Sequence, residues 1–157
     1  MLEPGSPAPQ LVLEDTTGQT VRLADYRGKH AVLLYFMRAT SCPVCRRHVQ
    51  DLAENADALA ARNVRVLVAV PDDRATAAAW RAKHRIPFPV LTGRDGTPHE
   101  LVGLSRTVFG ALQRSGSVLV DSHGVVRHAH GAALPTAGYD KEGITAAIEQ
   151  LAATPLP

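Results

Sequence analysis

Residues 31–48 read AVLLYFMRATSCPVCRRH, and the fold turns on how this stretch divides. Its first seven residues, Ala31 to Met37, are apolar at every position rather than every second one, which is the pattern of a strand buried on both faces of a sheet. Beyond them the period changes. Val44, Val49, Leu52, Ala56, Leu59 and Ala60 recur at helical spacing with charged residues between, so one amphipathic helix is predicted over 43–62. Pro43 suits its first turn, where a missing N–H is no loss, and Thr40 or Ser41 can supply the cap. Both cysteines of the chain, Cys42 and Cys45, fall at this junction between strand and helix.

Working outward, Pro4, Gly5, Pro7 and Pro9 hold the start of the chain extended and irregular. QLVLEDTTGQTVRL (10–23) reads as two short strands around a turn at Thr16 to Gly18. Downstream, VRVLVAV (64–70) is a second buried strand, and DDRATAAAWRAKHRI (72–86) a helix capped by Asp72 or Asp73 and stopped before Pro87. FPVLTGRDGT (88–97) gives a short strand and a turn, and 98–113 gives one or two short helical turns. SVLVDSHGVVRHAHG (117–131) is a hairpin turning at Ser122 to Gly124, and 140–152 a closing helix. The order β-β, β-α-β-α-β, β-β-α makes an α/β protein: a mixed central sheet flanked by helices, with an N-terminal hairpin. At 157 residues it is read as one domain, 1–157.

Composition removes several classes of function. The net charge is only +2, from 17 basic and 15 acidic side chains spread along the chain, so no field attracts nucleic acid. Aromatic residues, at 4%, are too few for base-stacking surfaces. The apolar run from Ala31 is far below the roughly twenty residues that cross a bilayer, so no membrane span is expected. MLEPGSPAPQLVLED has neither the basic start nor the continuous apolar stretch of a signal peptide, so a cytoplasmic location is expected. In that reducing compartment a lone cysteine pair serves metal binding or catalysis more often than a permanent bridge.

A cysteine at the tip of a helix meets unpaired N–H groups and the positive end of the macrodipole, both of which favour a thiolate. Its acidity and its reactivity towards disulfides or peroxides rise together. Arg46, one turn further on, and Arg38, upstream, add positive charge; Thr40 and Ser41 are the nearby hydroxyls. Cys45 lies close enough to close a small-ring disulfide with Cys42. A zinc site is the main alternative, because His48 extends the string to C-x-x-C-x-x-H, although no second paired motif supplies further ligands. An inert pair or fixed bridge is another. Haem attachment fails, since Arg46 stands where C-x-x-C-H needs histidine. His128 and His130 alternate on one strand and read as a polar face, Trp80 as a packing residue, Arg47 as solvated helix surface. The glycines mark turns rather than a phosphate cradle, and no cofactor is implied.

PGSPAPQLVLEDTTGQTVRLADYRGKHAVLLYFMR resembles the opening of the alkyl hydroperoxide reductase and thiol-specific antioxidant (redoxin) family, and MRATSCPVCRRHVQDL is similar to its peroxiredoxin-like C-P-x-C members. KHRIPFPVLTGRDG and SVLVDSHGVVRHAH sit where those proteins have their later strands. The resemblance implies a thioredoxin-like fold and reduction of hydrogen peroxide or alkyl hydroperoxides, with thioredoxin or a similar dithiol as electron source. Cys42 would be oxidised and Cys45 would resolve it. A peroxide-binding arginine of the family falls nearest to Arg114, one residue off. The family's proline seven residues and hydroxyl three residues before the peroxidatic cysteine are replaced here by Tyr35 and Ala39. Two other readings of the same sulfurs stay open: a disulfide oxidoreductase, and a metal carrier using Cys42, Cys45 and one histidine.

Overall fold

The computed structural model describes residues 2–94, 96–104, 106–107, 112–134 and 137–153. Two three-residue strands, β1 (Val12–Glu14) and β2 (Thr20–Arg22), pair antiparallel as the predicted N-terminal hairpin. Its turn is shaped by Asp15, whose carboxylate accepts from the Thr17 amide and hydroxyl at 2.9 and 2.6 Å and from the Gln19 amide at 3.0 Å. A 3₁₀ turn, Leu23–Tyr26, leads to β3 (Ala31–Phe36), in which every residue is buried, as the unbroken apolar run requires.

Helices α1 (Pro43–Glu54) and α2 (Ala56–Ala61) stand where one helix is expected from the sequence. Asn55 divides them. Its side-chain amide donates to the Asp51 carbonyl at 2.8 Å, competing with the backbone ladder, and its φ and ψ of −100° and 9° leave the helical basin. Next come β4 (Val64–Ala69), α3 (Arg74–His84) and β5 (Val90–Leu91). Asp73 is the residue that caps α3, accepting from the Thr76 amide at 2.8 Å. That leaves Asp72 free for another partner.

The helical turns expected over 98–113 are present only in part. Pro98–Val102 is a 3₁₀ turn stopped by Gly103 at φ 79°, after which β6 (Arg106–Thr107) and β7 (Leu112–Gln113) pair antiparallel; 108–111 lie outside the described residues. The second hairpin, β8 (Ser115–Val120) and β9 (Val126–Ala132), and α4 (Lys141–Ala153) follow as the pattern indicates.

The main sheet has the order β5-β4-β3-β8-β9, parallel from β3 to β5 and antiparallel at β8 and β9. Side chains alternate across it. Leu33, Tyr35, Val66 and Val68 face a core shared with Cys45, Val49 and Leu52 of α1, Trp80 of α3 and Ile144 and Ile148 of α4. Val32, Leu34, Phe36, Leu67 and Val118 face a second core closed by Leu11, Leu13 and Leu23 of the N-terminal segment and by Val102 and Leu104. This double cover explains why β3 is apolar at consecutive positions. Phe36 lies opposite both Ala69 and Gly116, so the end of β3, the end of β4 and the start of β8 meet at one edge of the sheet. Ligand sites of open α/β sheets form at such strand ends, and both cysteines lie just beyond this one.

Candidate active site

Cys42 is the N-cap of α1, with Pro43 at the first helical position. Its extended backbone, φ −78° and ψ 111°, folds the sulfur back over the first turn, where it accepts from the Cys45 amide at 3.3 Å. A serine or aspartate ordinarily does this with oxygen. Cys45 sits one turn deeper and is fully buried, and the Arg38 amide donates to its sulfur at 3.5 Å. Both thiols are free.

The two sulfurs differ in acidity. Burial raises the Cys42 thiol, but hydrogen bonds from the Cys45 thiol and amide, together with the Arg38 guanidinium beside it, bring it below the ordinary thiol value. Cys45 is pushed up to about 11, chiefly by burial and then by donating to Cys42, with the Arg38 amide acting the other way. The reactive anion therefore belongs on Cys42. Arg38→Met removes a charge that holds it there. The Cys42 pKa is then expected to rise, so that the pH profile of its alkylation by iodoacetamide moves to higher pH; an unmoved profile would show that the helix tip alone sets the acidity.

Around Cys42 an open cleft of about 480 Å³ is walled on one side by Thr40, Ser41, Pro43 and Arg46. Its other wall is a face of α3, where Thr76, Ala79, Trp80, Lys83 and His84 follow at helical spacing. Trp80 is 7% exposed and packs in the core, as the sequence suggests, but it also floors this cleft. Arg46 and Lys83 make this rim cationic, and slight burial together with those two charges lowers the His84 pKa. The α3 contribution was legible only as an amphipathic helix; its apolar and cationic residues, four apart, were the available signal.

Of the other residues singled out in the sequence, Ser41 is exposed at the mouth and Arg46 half-buried in the wall. Thr40 is committed elsewhere: its amide and hydroxyl both donate to Asp72, at 3.0 and 2.8 Å, tying the cysteine loop to the segment after β4. Asp72 was visible in the sequence only as a candidate helix cap. Arg114 precedes β8, so the antiparallel register brings its backbone to the sheet edge that carries Arg38. The His48 ring nitrogen Nδ1 lies 2.8 Å from the Tyr35 hydroxyl, not at the sulfurs, and among the described residues no three metal-binding side chains gather. His128 and His130 stack on β9, His128 near Asp140 at 3.7 Å and His130 donating to the Ala137 carbonyl at 2.6 Å.

A cysteine pair in the first turn of a helix that leaves the centre of a mixed sheet defines a thiol protein of thioredoxin-like fold. The chain belongs to the AhpC/TSA family, whose pattern matches residues 4–129. It is 30% identical over 146 residues to a Mycobacterium tuberculosis protein named as a peroxiredoxin, covering 85% of this chain and 92% of that one. It is 29% identical over 124 residues to the chloroplastic peroxiredoxin Q of Triticum aestivum, covering 79% of this chain but 57% of the relative; it thus spans a little over half the length of such plant relatives. Among solved structures the fold matches the peroxidoxin BcpB of Mycobacterium tuberculosis with a TM-score of 0.81, at 20% identity, over 99% of this chain and all of the other. No helix among the described residues is long and apolar enough to cross a membrane.

Proposed function

We propose that this protein, acting as a single domain over 1–157, is a thiol peroxidase. The Cys42 thiolate attacks one oxygen of hydrogen peroxide or an alkyl hydroperoxide; the S–O bond forms, the O–O bond breaks, and the hydroxide or alkoxide that leaves takes a proton from solvent to become water or an alcohol. Helix-tip N–H groups, Arg38 and Arg46 offset the charge that develops on the departing oxygen, and Arg114, at the same sheet edge, is a further candidate. Cys45 then displaces the hydroxyl of the Cys42 sulfenic acid, giving a Cys42–Cys45 disulfide and water. An external dithiol of the thioredoxin type restores both thiols. A cytoplasmic setting suits a pair that must be returned to the dithiol after each turnover.

The observation that carries this reading is the division of acidity between the sulfurs: an acidified Cys42 opening on a cleft, with a protonated Cys45 directly beneath it. Cys45→Ser is expected to consume one equivalent of peroxide and stop as a sulfenic acid on Cys42, captured by dimedone and counted by mass spectrometry. Continued turnover at the wild-type rate with thioredoxin would remove Cys45 from the cycle.

One observation favours a second reading, a protein disulfide reductase. Thr40 spends its hydroxyl on Asp72, and Ala39 replaces the family's hydroxyl, so a peroxide loses that hydrogen-bonding partner while an attack on a disulfide does not need it. Insulin reduced much faster than peroxide would establish it.

A further inference from the structure

The cleft beside Cys42 holds far more than hydrogen peroxide needs: its volume of about 480 Å³ lies within the roughly 300–1,000 Å³ in which small organic molecules bind. Its character changes along its length. The Thr40–Asp72 hydrogen bonds pin the cysteine loop to the start of α3, and from Thr76 to Lys83 that helix carries the wall onward for about 10 Å at 1.5 Å per residue. The middle of the cleft is apolar, with Ala79 and the Trp80 indole on one side and Pro43 on the other. Lys83 and His84 stand at the far end, the His84 ring 5.9 Å from that of Trp80, and Arg46 of α1 lies beside them.

Nothing negative answers these cations. No aspartate or glutamate lines the cleft, α3 contains none from Arg74 to His84, and α1 contains none before Asp51. The nearest carboxylates are spent at the opposite end of α3, Asp72 on Thr40 and Asp73 on the Thr76 amide. Among the described residues neither Arg46 nor Lys83 forms an ion pair, and neither the Arg46 Nε–H nor the indole N–H of Trp80, a side chain only 7% exposed, has an acceptor. Unmet donors and unpaired positive charge beside an apolar floor suit a ligand that brings acceptors and negative charge of its own.

We propose that this cleft selects organic hydroperoxides that carry a carboxylate, which Lys83, His84 and Arg46 hold while the apolar body lies over Trp80 and Ala79 and the peroxide group meets the Cys42 sulfur. The inference rests on the peroxidase reading and narrows its substrate. The Cys42 thiolate takes the outer oxygen, the O–O bond breaks, and the departing alkoxide takes a proton from solvent to leave as a hydroxy acid. Holding the far end of the molecule compensates for what the near end lacks. Ala39 offers no hydroxyl and Thr40 gives its own to Asp72, so the remainder of the substrate does the orienting. Lys83 and Arg46 supply the charge; His84, its pKa lowered by slight burial and by those two cations, is a neutral donor at pH 7.

Matched reagents test this in the Cys45→Ser background, where Cys42 is the one thiol. Its oxidation is timed with cumene hydroperoxide and with the para-carboxylate of the same molecule; its disulfide exchange is timed with dithiodipyridine and with the carboxylate-bearing dithiobis(nitrobenzoate). Each rate is divided by that of a small neutral thiol with the same reagent. At low ionic strength the carboxylate member of the hydroperoxide pair should react about fivefold faster or more, and added salt should erode the preference. Lys83→Glu, at an exposed helical position, should abolish or invert it. Arg65→Glu makes the same change of charge at the opposite end of the sheet, where β4 begins, and should leave it intact. Equal rates within the hydroperoxide pair, a preference that survives Lys83→Glu, or one lost equally in Arg65→Glu would overturn the proposal. Should no hydroperoxide react, the peroxidase reading falls and the disulfide pair decides: a carboxylate preference there that Lys83→Glu removes upholds the cleft's selectivity, and its absence ends it.

Discussion

Cys42→Ser is expected to abolish peroxide turnover, with the steady-state rate falling on the order of a thousandfold or more under thioredoxin or dithiothreitol. A serine at this N-cap keeps the local structure, since its hydroxyl accepts from the residue 45 amide as the sulfur does. Only the nucleophile changes. A hydroxyl is far less acidic than the Cys42 thiol, and the charges of Arg38 and the helix tip cannot overcome that difference. The measurement is peroxide consumption beside thermal unfolding of the same sample. Unfolding should be nearly unchanged; retention of even a tenth of the activity would move the first oxidation to Cys45 or off the pair.

The second large effect is on stability. Phe36 is fully buried where β3 passes between β4 and β8, and it meets the His99 ring edge to face at 5.3 Å. Phe36→Ala is expected to cost about 3–5 kcal/mol in urea unfolding, against about 1 kcal/mol for Phe36→Leu, which refills most of the volume. A domain of this size has about 5–15 kcal/mol in total. The damage should reach the site, because buried His99 donates from Nε2 to the Met37 carbonyl at 2.6 Å. Burial holds that ring uncharged, with its pKa down to about 4, so the contact is a neutral one that depends on packing. Met37 leads directly into Arg38. A loss below about 1 kcal/mol for the alanine variant would mean that this side of the sheet closes over the gap.

Much of this was legible in residues 31–48, because a strand buried on both faces and a helix-tip cysteine each leave a local pattern. The break at Asn55 leaves no such pattern, since the apolar stripe runs through it and only the side-chain bond to Asp51 interrupts the ladder. The antiparallel pair β6–β7 leaves no signal because two-residue strands carry no period. At the site, Cys42, Cys45, Arg38 and Arg46 stood close together in the chain. The Thr40–Asp72 tie spans 32 residues, and the α3 wall of the cleft is brought in by sheet topology, which no spacing records. In the sequence Tyr35 stands out only where the family has a proline; His48 comes from a different element, so the pairing of the two emerges in three dimensions alone.

The two sulfurs belong to one turn of one helix, and the residues that set their acidity come from the same polypeptide. In the proposed cycle both electrons given to a peroxide therefore come from one chain, and dilution has nothing to separate. A protein built in this way keeps its full chemistry when it is scarce.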